Sequence, residues 1–188
     1  LLSGLQKLEY RGYDSAGIAV IHNHCTSLFR EEGKLFSLIN KVHQLNPEGC
    51  LGIGHTRWAT HGAPTTINAH PHKAGIFTIV HNGIIENYKE IKNFLLSEKV
   101  VFQSQTDSEI IVQLINYNYT ILKDFKKAVS ETIKKLEGAF AVLVISELEN
   151  YIIAFKQYSP MVLGVGKNEN FIASDVPAIL NYTNQFIY

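Results

Sequence analysis

The sequence predicts an α+β domain in which antiparallel sheets carry helices on their outer faces. Three observations lead there. Helical and strand patterns are interleaved along the earlier part of the chain. From residue 139 onward, apolar segments at 139–146, 150–156, 161–165 and 170–173 follow one another in hairpin-like succession, with no helix between them, which favours antiparallel pairing. The chain has 188 residues, 46% hydrophobic and 18% charged, enough for one sizeable core but hardly for two.

Taken in order, Leu1, Leu5 and Leu8 recur at helical spacing and Gly12 stops the helix, so the chain is expected to begin inside a helix with no cap before it. Residues 16–22 read as an apolar strand that can pair with 27–30 across Asn23-His24. Over 34–45, Leu35, Leu38, Ile39 and Val42 share one face of an amphipathic helix. Residues 51–54 form a buried strand. Residues 56–74 have no clear period and hold two prolines, which predicts a long functional loop. The next strand, 76–80, ends at His81-Asn82-Gly83 and leads into a helix from about 85 to 97. A short strand is expected at 100–103. Thr106-Asp107-Ser108-Glu109 spells a capping box that opens a helix to about 116. A further helix over 124–137 is closed by Gly138. Gly164-Val165-Gly166-Lys167 lacks the rest of a phosphate loop and reads as a hairpin turn. Residues 185–188 look like a strand cut off midway. No internal repeat, low-complexity tract or linker interrupts the chain.

Composition excludes several classes. Seventeen basic and seventeen acidic residues cancel, which leaves no footprint for nucleic acid and no acidic tail. No apolar run approaches the roughly 20 residues that span a bilayer. Leu1-Leu2-Ser3-Gly4 has neither the basic start nor the cleavage site of a signal peptide. Cys25 and Cys50 are therefore expected as free structural thiols in a reducing cytoplasm.

The densest chemistry is His55-Thr56-Arg57-Trp58-Ala59-Thr60-His61-Gly62, directly after a strand. It holds a cation, an indole, two hydroxyls and two imidazoles, but no obvious nucleophile. A free amino acid needs an arginine for its carboxylate and a carboxylate for its ammonium. Arg57 and Asp107 fit those roles, and Thr60 and His61 could add hydrogen bonds at the carboxylate end. The plain alternatives are a surface ion pair for Arg57 and a good helix start for Asp107. Asn82-Gly83 reads either as an ordinary tight turn or as an oxyanion hole, with the Asn amide and the Gly N–H as its two donors. Five of the eight histidines (His55, His61, His70, His72 and His81) cluster, yet their spacing matches no standard metal-ligand pattern. No metal and no cofactor is expected.

Five ordered motifs go further. They are Arg11-Gly12-Tyr13-Asp14-Ser15-Ala16-Gly17, the His55 to Gly62 stretch, Asn68-Ala69-His70-Pro71-His72, His81-Asn82-Gly83-Ile84-Ile85-Glu86-Asn87 and Thr106-Asp107-Ser108-Glu109. Together they resemble the glutaminase domain of the glutamine:fructose-6-phosphate aminotransferases, which are class II glutamine amidotransferases. Tyr158-Ser159-Pro160 and Asn170-Phe171-Ile172-Ala173-Ser174-Asp175 extend the resemblance over essentially the whole chain, 1–188. Amidotransferases that feed purine synthesis share the layout with different wording and rank second.

The resemblance implies an N-terminal-nucleophile hydrolase fold, a four-layer α/β/β/α arrangement with two stacked antiparallel sheets. It implies that an N-terminal cysteine attacks the glutamine amide, with its own α-amino group as base. Ammonia then passes to a separate isomerase domain that turns fructose 6-phosphate into glucosamine 6-phosphate, in a homodimeric cytoplasmic enzyme. By position, Asn82 and Gly83 match the oxyanion hole. Arg57, Thr60, His61, Gly83 and Asp107 match the glutamine-binding residues. Arg11 and Gly12 match the loop beside the nucleophile, and Trp58 matches the indole that gates the ammonia tunnel. His70 and His72 match supports of the loop. The departure is that Leu1 stands where the first helix is already under way, so this chain is expected to lack the nucleophilic cysteine, the first strand, the C-terminal end and the isomerase domain, and to be inactive as written. Two other classes remain open at this point: a non-catalytic glutamine-binding module and a His-rich metal module.

Overall fold

The computed structural model describes residues 1–59 and 62–188. Two antiparallel sheets stack face to face. The first, ordered β2-β1-β3, consists of β1 (Ser15–His22), β2 (Cys25–Glu32) and β3 (Leu51–Arg57). β1 and β2 form a hairpin whose turn residues Asn23 and His24 take φ of 48° and 61°, the geometry that matches strand twist in a two-residue connection. The second sheet, β4-β5-β6-β7, consists of β4 (His72–Ala74), β5 (Phe77–Ile85), β6 (Gly138–Ser146) and β7 (Ile153–Gln157). A small third sheet, β10-β8-β9, joins β8 (Val162–Val165), β9 (Asn170–Ala173) and β10 (Phe186–Ile187).

Alternation along the strands decides what each face meets. In β1, Ala16 and Ile18 pack with Leu5 of α1 (Leu2–Gln6) and with Leu35, Leu38 and Val42 of α2 (Leu35–Leu45). Ala19 points the other way and meets Ile53, Val80 and Ile145 across the gap between the sheets. In the second sheet Phe77, Ile79, Phe140, Val142 and Val144 bury beneath three helices, α3 (Tyr88–Ser97), α4 (Asp107–Leu122) and α5 (Phe125–Ile133). The layers therefore run helix, sheet, sheet, helix, as the resemblance implies.

Several boundaries differ from those expected. β5 does not end at His81-Asn82-Gly83. It stays paired with β6 through Asn82↔Ala141 and Gly83↔Phe140 to Ile85↔Gly138, so the Asn-Gly pair is no turn and the next helix starts only at Tyr88. Gly83 permits this with φ 120°, and a Cβ there would lie 2.0 Å from the Ala139 carbonyl oxygen. Residues 100–103 join no ladder. The Gln103 and Ser104 amides donate to the Glu109 carboxylate instead. That turns Glu109 away from the cap residue, so only half of the capping box forms, with Thr106 Oγ1 accepting from Glu109 N at 3.2 Å. α4 runs on to Leu122, held to α5 by Asn118, which donates to Thr132 Oγ1 at 3.0 Å. α5 stops at Ile133, short of the expected end. Within the expected loop 56–74, Arg57 still belongs to β3 and His72 opens β4.

Four imidazoles gather where the sheets meet the loop. The His70 ring centroid lies 4.3 Å from that of His55, 4.8 Å from that of His72 and 6.4 Å from that of His81. His70, His72 and His81 are buried, with 4%, 3% and 3% of their surfaces exposed. Burial holds His70 well below the ordinary histidine range, and the neighbouring imidazoles and Arg57 push the same way. His72 is lowered to about 3, by burial first and then by the charges of Arg30 and Arg57. His81 is lowered by burial, against the pull of Asp107.

These three rings resist protonation in the folded chain, whereas the unfolded chain binds their protons near pH ~6.5. Stability is therefore full above that pH and falls as the pH drops below it, by up to ~1.4 kcal/mol per pH unit for each ring. Urea midpoints should fall steeply between pH ~6.5 and ~5, before most carboxylates titrate. His72→Gln should make that fall shallower, and an unchanged pH dependence in this variant would contradict the assignment.

Candidate active site

β3 and β5 assemble the site. The face of β3 that meets the second sheet carries Ile53 in the core and then, two residues at a time, His55 and Arg57. The matching face of β5 carries Val80 in the core and then Asn82. Both strands thus change from apolar to polar at one end of the space between the sheets. Together with Arg11, Gly12, Trp58, Gly83 and Asp107 they line one end of a groove of about 1520 Å³ that runs back past Ile53, Val80 and Leu143 to Leu51 and Cys50.

Arg57 is only 4% exposed, which rules out the surface ion pair. Its guanidinium donates to the Gly62 and Ala63 carbonyls at 3.4 Å each and lies 3.9 Å from Asp14 Oδ1. Burial weakens its hold on its proton, and the carboxylates of Asp14 and Asp107 counter that effect. Asp14 Oδ2 also accepts the Ala59 N–H at 2.6 Å. One carboxylate therefore holds both the arginine and the backbone that follows it. Asp107 opens α4 and is buried. Its Oδ2 accepts the Ile85 N–H at 3.0 Å, which ties the first turn of α4 to the end of β5 and makes Asp107 more than a helix start.

Asn82 is half-buried, and its Oδ1 lies 2.8 Å from His55 Nε2, across the gap between the sheets. Gly83 follows it, exposed, at the positive φ described above. Arg11 ends a single 3-10 turn and donates to Ser174 Oγ at 2.8 Å and Asp175 Oδ2 at 2.9 Å. Gly12 lies beneath Trp58: a Cβ on Gly12 would come within 2.4 Å of indole Cζ3. The indole itself is 67% exposed at the rim of the groove. Thr60 and His61, expected to add hydrogen bonds at the carboxylate end, lie outside the described residues. Among the described residues no three His, Cys, Asp or Glu side chains are placed to hold a metal ion.

The histidines brace these groups from behind. His72 Nε2 is 3.0 Å from Thr106 Oγ1, His70 Nδ1 accepts the His81 N–H at 3.4 Å, and His81 Nδ1 is 2.8 Å from Ser108 Oγ. Two participants, Asp14 and Ser108, escaped the sequence analysis as individuals, and His55 figured there only as one of the clustered histidines. Each stands inside one of the five motifs, but spacing alone does not say which neighbour it holds.

A family model described as "Glutamine amidotransferase domain" matches residues 61–181. Over its whole length the chain is 50% identical to the glutamine--fructose-6-phosphate aminotransferase [isomerizing] of Aquifex aeolicus and 48% identical to that of Acinetobacter baylyi. It spans about a third of those proteins, 32% and 31% of their lengths. Among solved structures, the glutamine phosphoribosylpyrophosphate amidotransferase from B. subtilis superposes on 99% of this chain and 41% of its own, with a TM-score of 0.85. At 22% identity that likeness speaks for the fold alone. With the stacked sheets, the groove between them and the family match in agreement, the chain belongs to the glutamine amidotransferase domain family.

Proposed function

We propose that residues 1–188 bind glutamine and form most of the glutaminase part of a glutamine:fructose-6-phosphate aminotransferase, which hydrolyses the side-chain amide. The observation that carries this is the meeting of Arg57, Asp107, Asn82 and Gly83 in one groove. The names of the relatives supply the acceptor, fructose 6-phosphate, which a following isomerase domain would use in making glucosamine 6-phosphate. A homodimeric, cytoplasmic protein goes with that assignment.

Arg57 receives the α-carboxylate of glutamine as a planar fork, and Asp107 receives the α-ammonium. Thr60 and His61, assigned by resemblance, add hydrogen bonds at the carboxylate end. The nucleophile is the thiol of an N-terminal cysteine on a segment ahead of Leu1, with Arg11 and Gly12 beside it. It attacks the amide carbon, and its α-amino group takes the thiol proton. The amide oxygen becomes an oxyanion held by the Asn82 amide and the Gly83 N–H. Collapse breaks the C–N bond, the proton passes to nitrogen, and ammonia leaves a glutamyl thioester that water hydrolyses to glutamate. Trp58 gates the way out for ammonia.

Neither internal cysteine suits the attacking role. Both are exposed free thiols. Cys25 opens β2 and does not line the groove. Cys50 lines the groove, but at its far end: it precedes β3 and stands on the order of 16 Å along the strand direction from His55, at ~3.3 Å per residue.

In protein carrying the N-terminal cysteine segment, Asn82→Ala should slow glutamine hydrolysis by roughly 10²–10³-fold. Full activity in that variant would overturn the oxyanion assignment. Asp107→Asn keeps the shape but removes the charge, and should weaken glutamine binding by about 10–100-fold in calorimetry, the worth of one charge-assisted hydrogen bond. Unchanged affinity would remove Asp107 from the ammonium site.

A further inference from the structure

We propose that His55 is the positioning residue for Asn82: its Nε2–H donates to Asn82 Oδ1 across the gap between the sheets and turns the Asn82 Nδ2 group toward the groove. The inference rests on the assignment of Asn82 as an oxyanion donor and adds the group that makes the assignment possible.

A carboxamide presents an acceptor on one side and two donors on the other. Asn82 can offer its donors to a substrate oxygen only if something else takes its Oδ1. The one polar side chain within reach of Oδ1 among the described residues is His55, at 2.8 Å. Whether His55 can take that part depends on its tautomer. A neutral imidazole donates from one nitrogen and accepts at the other. With the proton on Nδ1, Nε2 would be an acceptor, the carboxamide would turn its N–H groups to His55, and the donors would be lost to the groove.

The surroundings of the ring select the productive tautomer. Nδ1 is enclosed and has no partner, and the His55 ring lies on that of His70, with centroids 4.3 Å apart. A proton on Nδ1 would set two acceptors, Nε2 and Oδ1, face to face and leave a buried donor unpaired as well, whereas a proton on Nε2 makes the bond and leaves only the acceptor Nδ1 without a partner. At the other end Nε2 faces Asn82 Oδ1 at 2.8 Å, an acceptor that calls for a donor. Burial keeps the ring neutral, with its pKa lowered to about 4, so one proton sits on one nitrogen at neutral pH.

The bond joins residues of different sheets, and neither depends on it to stay in place. Asn82 is held in the ladder opposite Ala141, and His55 in the ladder opposite Gly17. Loss of the bond should therefore loosen one carboxamide without unmaking the fold. A misplacement of about 1 Å at a reacting group can cost as much as 10²-fold.

In protein carrying the N-terminal cysteine segment, His55→Phe keeps the ring but removes the donor. It should lower kcat for glutamine hydrolysis by about 10–100-fold and leave KM nearly unchanged. His55→Gln returns an N–H near the Nε2 position and should recover most of the rate. In an Asn82→Ala background, His55→Phe should cost nothing further. Equal losses in both backgrounds, or a Gln variant as slow as Phe, would overturn the positioning role while Asn82 kept its own. Full activity of Asn82→Ala alone would instead overturn the oxyanion reading beneath it. Nitrogen-15 NMR of the 188-residue chain checks the tautomer without any activity: a proton on Nε2 of His55 supports the inference, and a proton on Nδ1 refutes it.

Discussion

The approach of the two sheets is the constraint on which the rest of this molecule depends. Their contact is made by a few small and branched side chains, Ala19, Ile53, Val80 and Ile145. Ile21, Leu28, Leu51, Leu143 and Ile152 pack around these four, and one step further along the same strand faces His55 and Asn82 touch. A larger residue at Ala19, which is completely buried, would act as a wedge there. Core packing and site geometry are thus one property, read at two ends of the same pair of strands.

The electrostatics follow the same economy. Arg57 is buried beside a layer of imidazoles that burial keeps uncharged. Charged rings would repel its guanidinium and compete for the carboxylates of Asp14 and Asp107, which now support it. Neutral rings instead give a polarizable, hydrogen-bonding packing material that holds Thr106, Ser108 and Asn82 in place. In such a poorly hydrated setting, a charge pair acts with far more force than it would at the surface.

Much of this was legible in the sequence. The helical face of Leu35, Leu38 and Val42, the β1–β2 hairpin and the run of late strands were all set by periodicity, and the five motifs pointed to the residues that line the groove. The failures share a cause. Asn82-Gly83 carries a strong turn signal, but Gly83 uses its conformational freedom to keep the chain in register against Ala139 and Phe140. Glu109 completes a capping-box pattern, yet two amides from an irregular segment claim its carboxylate. β4 is too short and too polar to show a period. In each case the partner actually taken, distant in sequence for Gly83 and a few residues away for Glu109 and β4, outweighed the local preference, and periodicity alone does not name it.

Trp58 is the only tryptophan in the chain. Its indole stands exposed at the rim of the groove, seated on Gly12 where no other residue would leave room. The intrinsic tryptophan emission of this protein therefore comes from a single place, the mouth of the groove, free of background from the core. Whatever covers that rim, a small molecule or another stretch of polypeptide, will draw the indole out of water and shift its emission to the blue. The fold carries its own optical probe at the position where occupancy matters most.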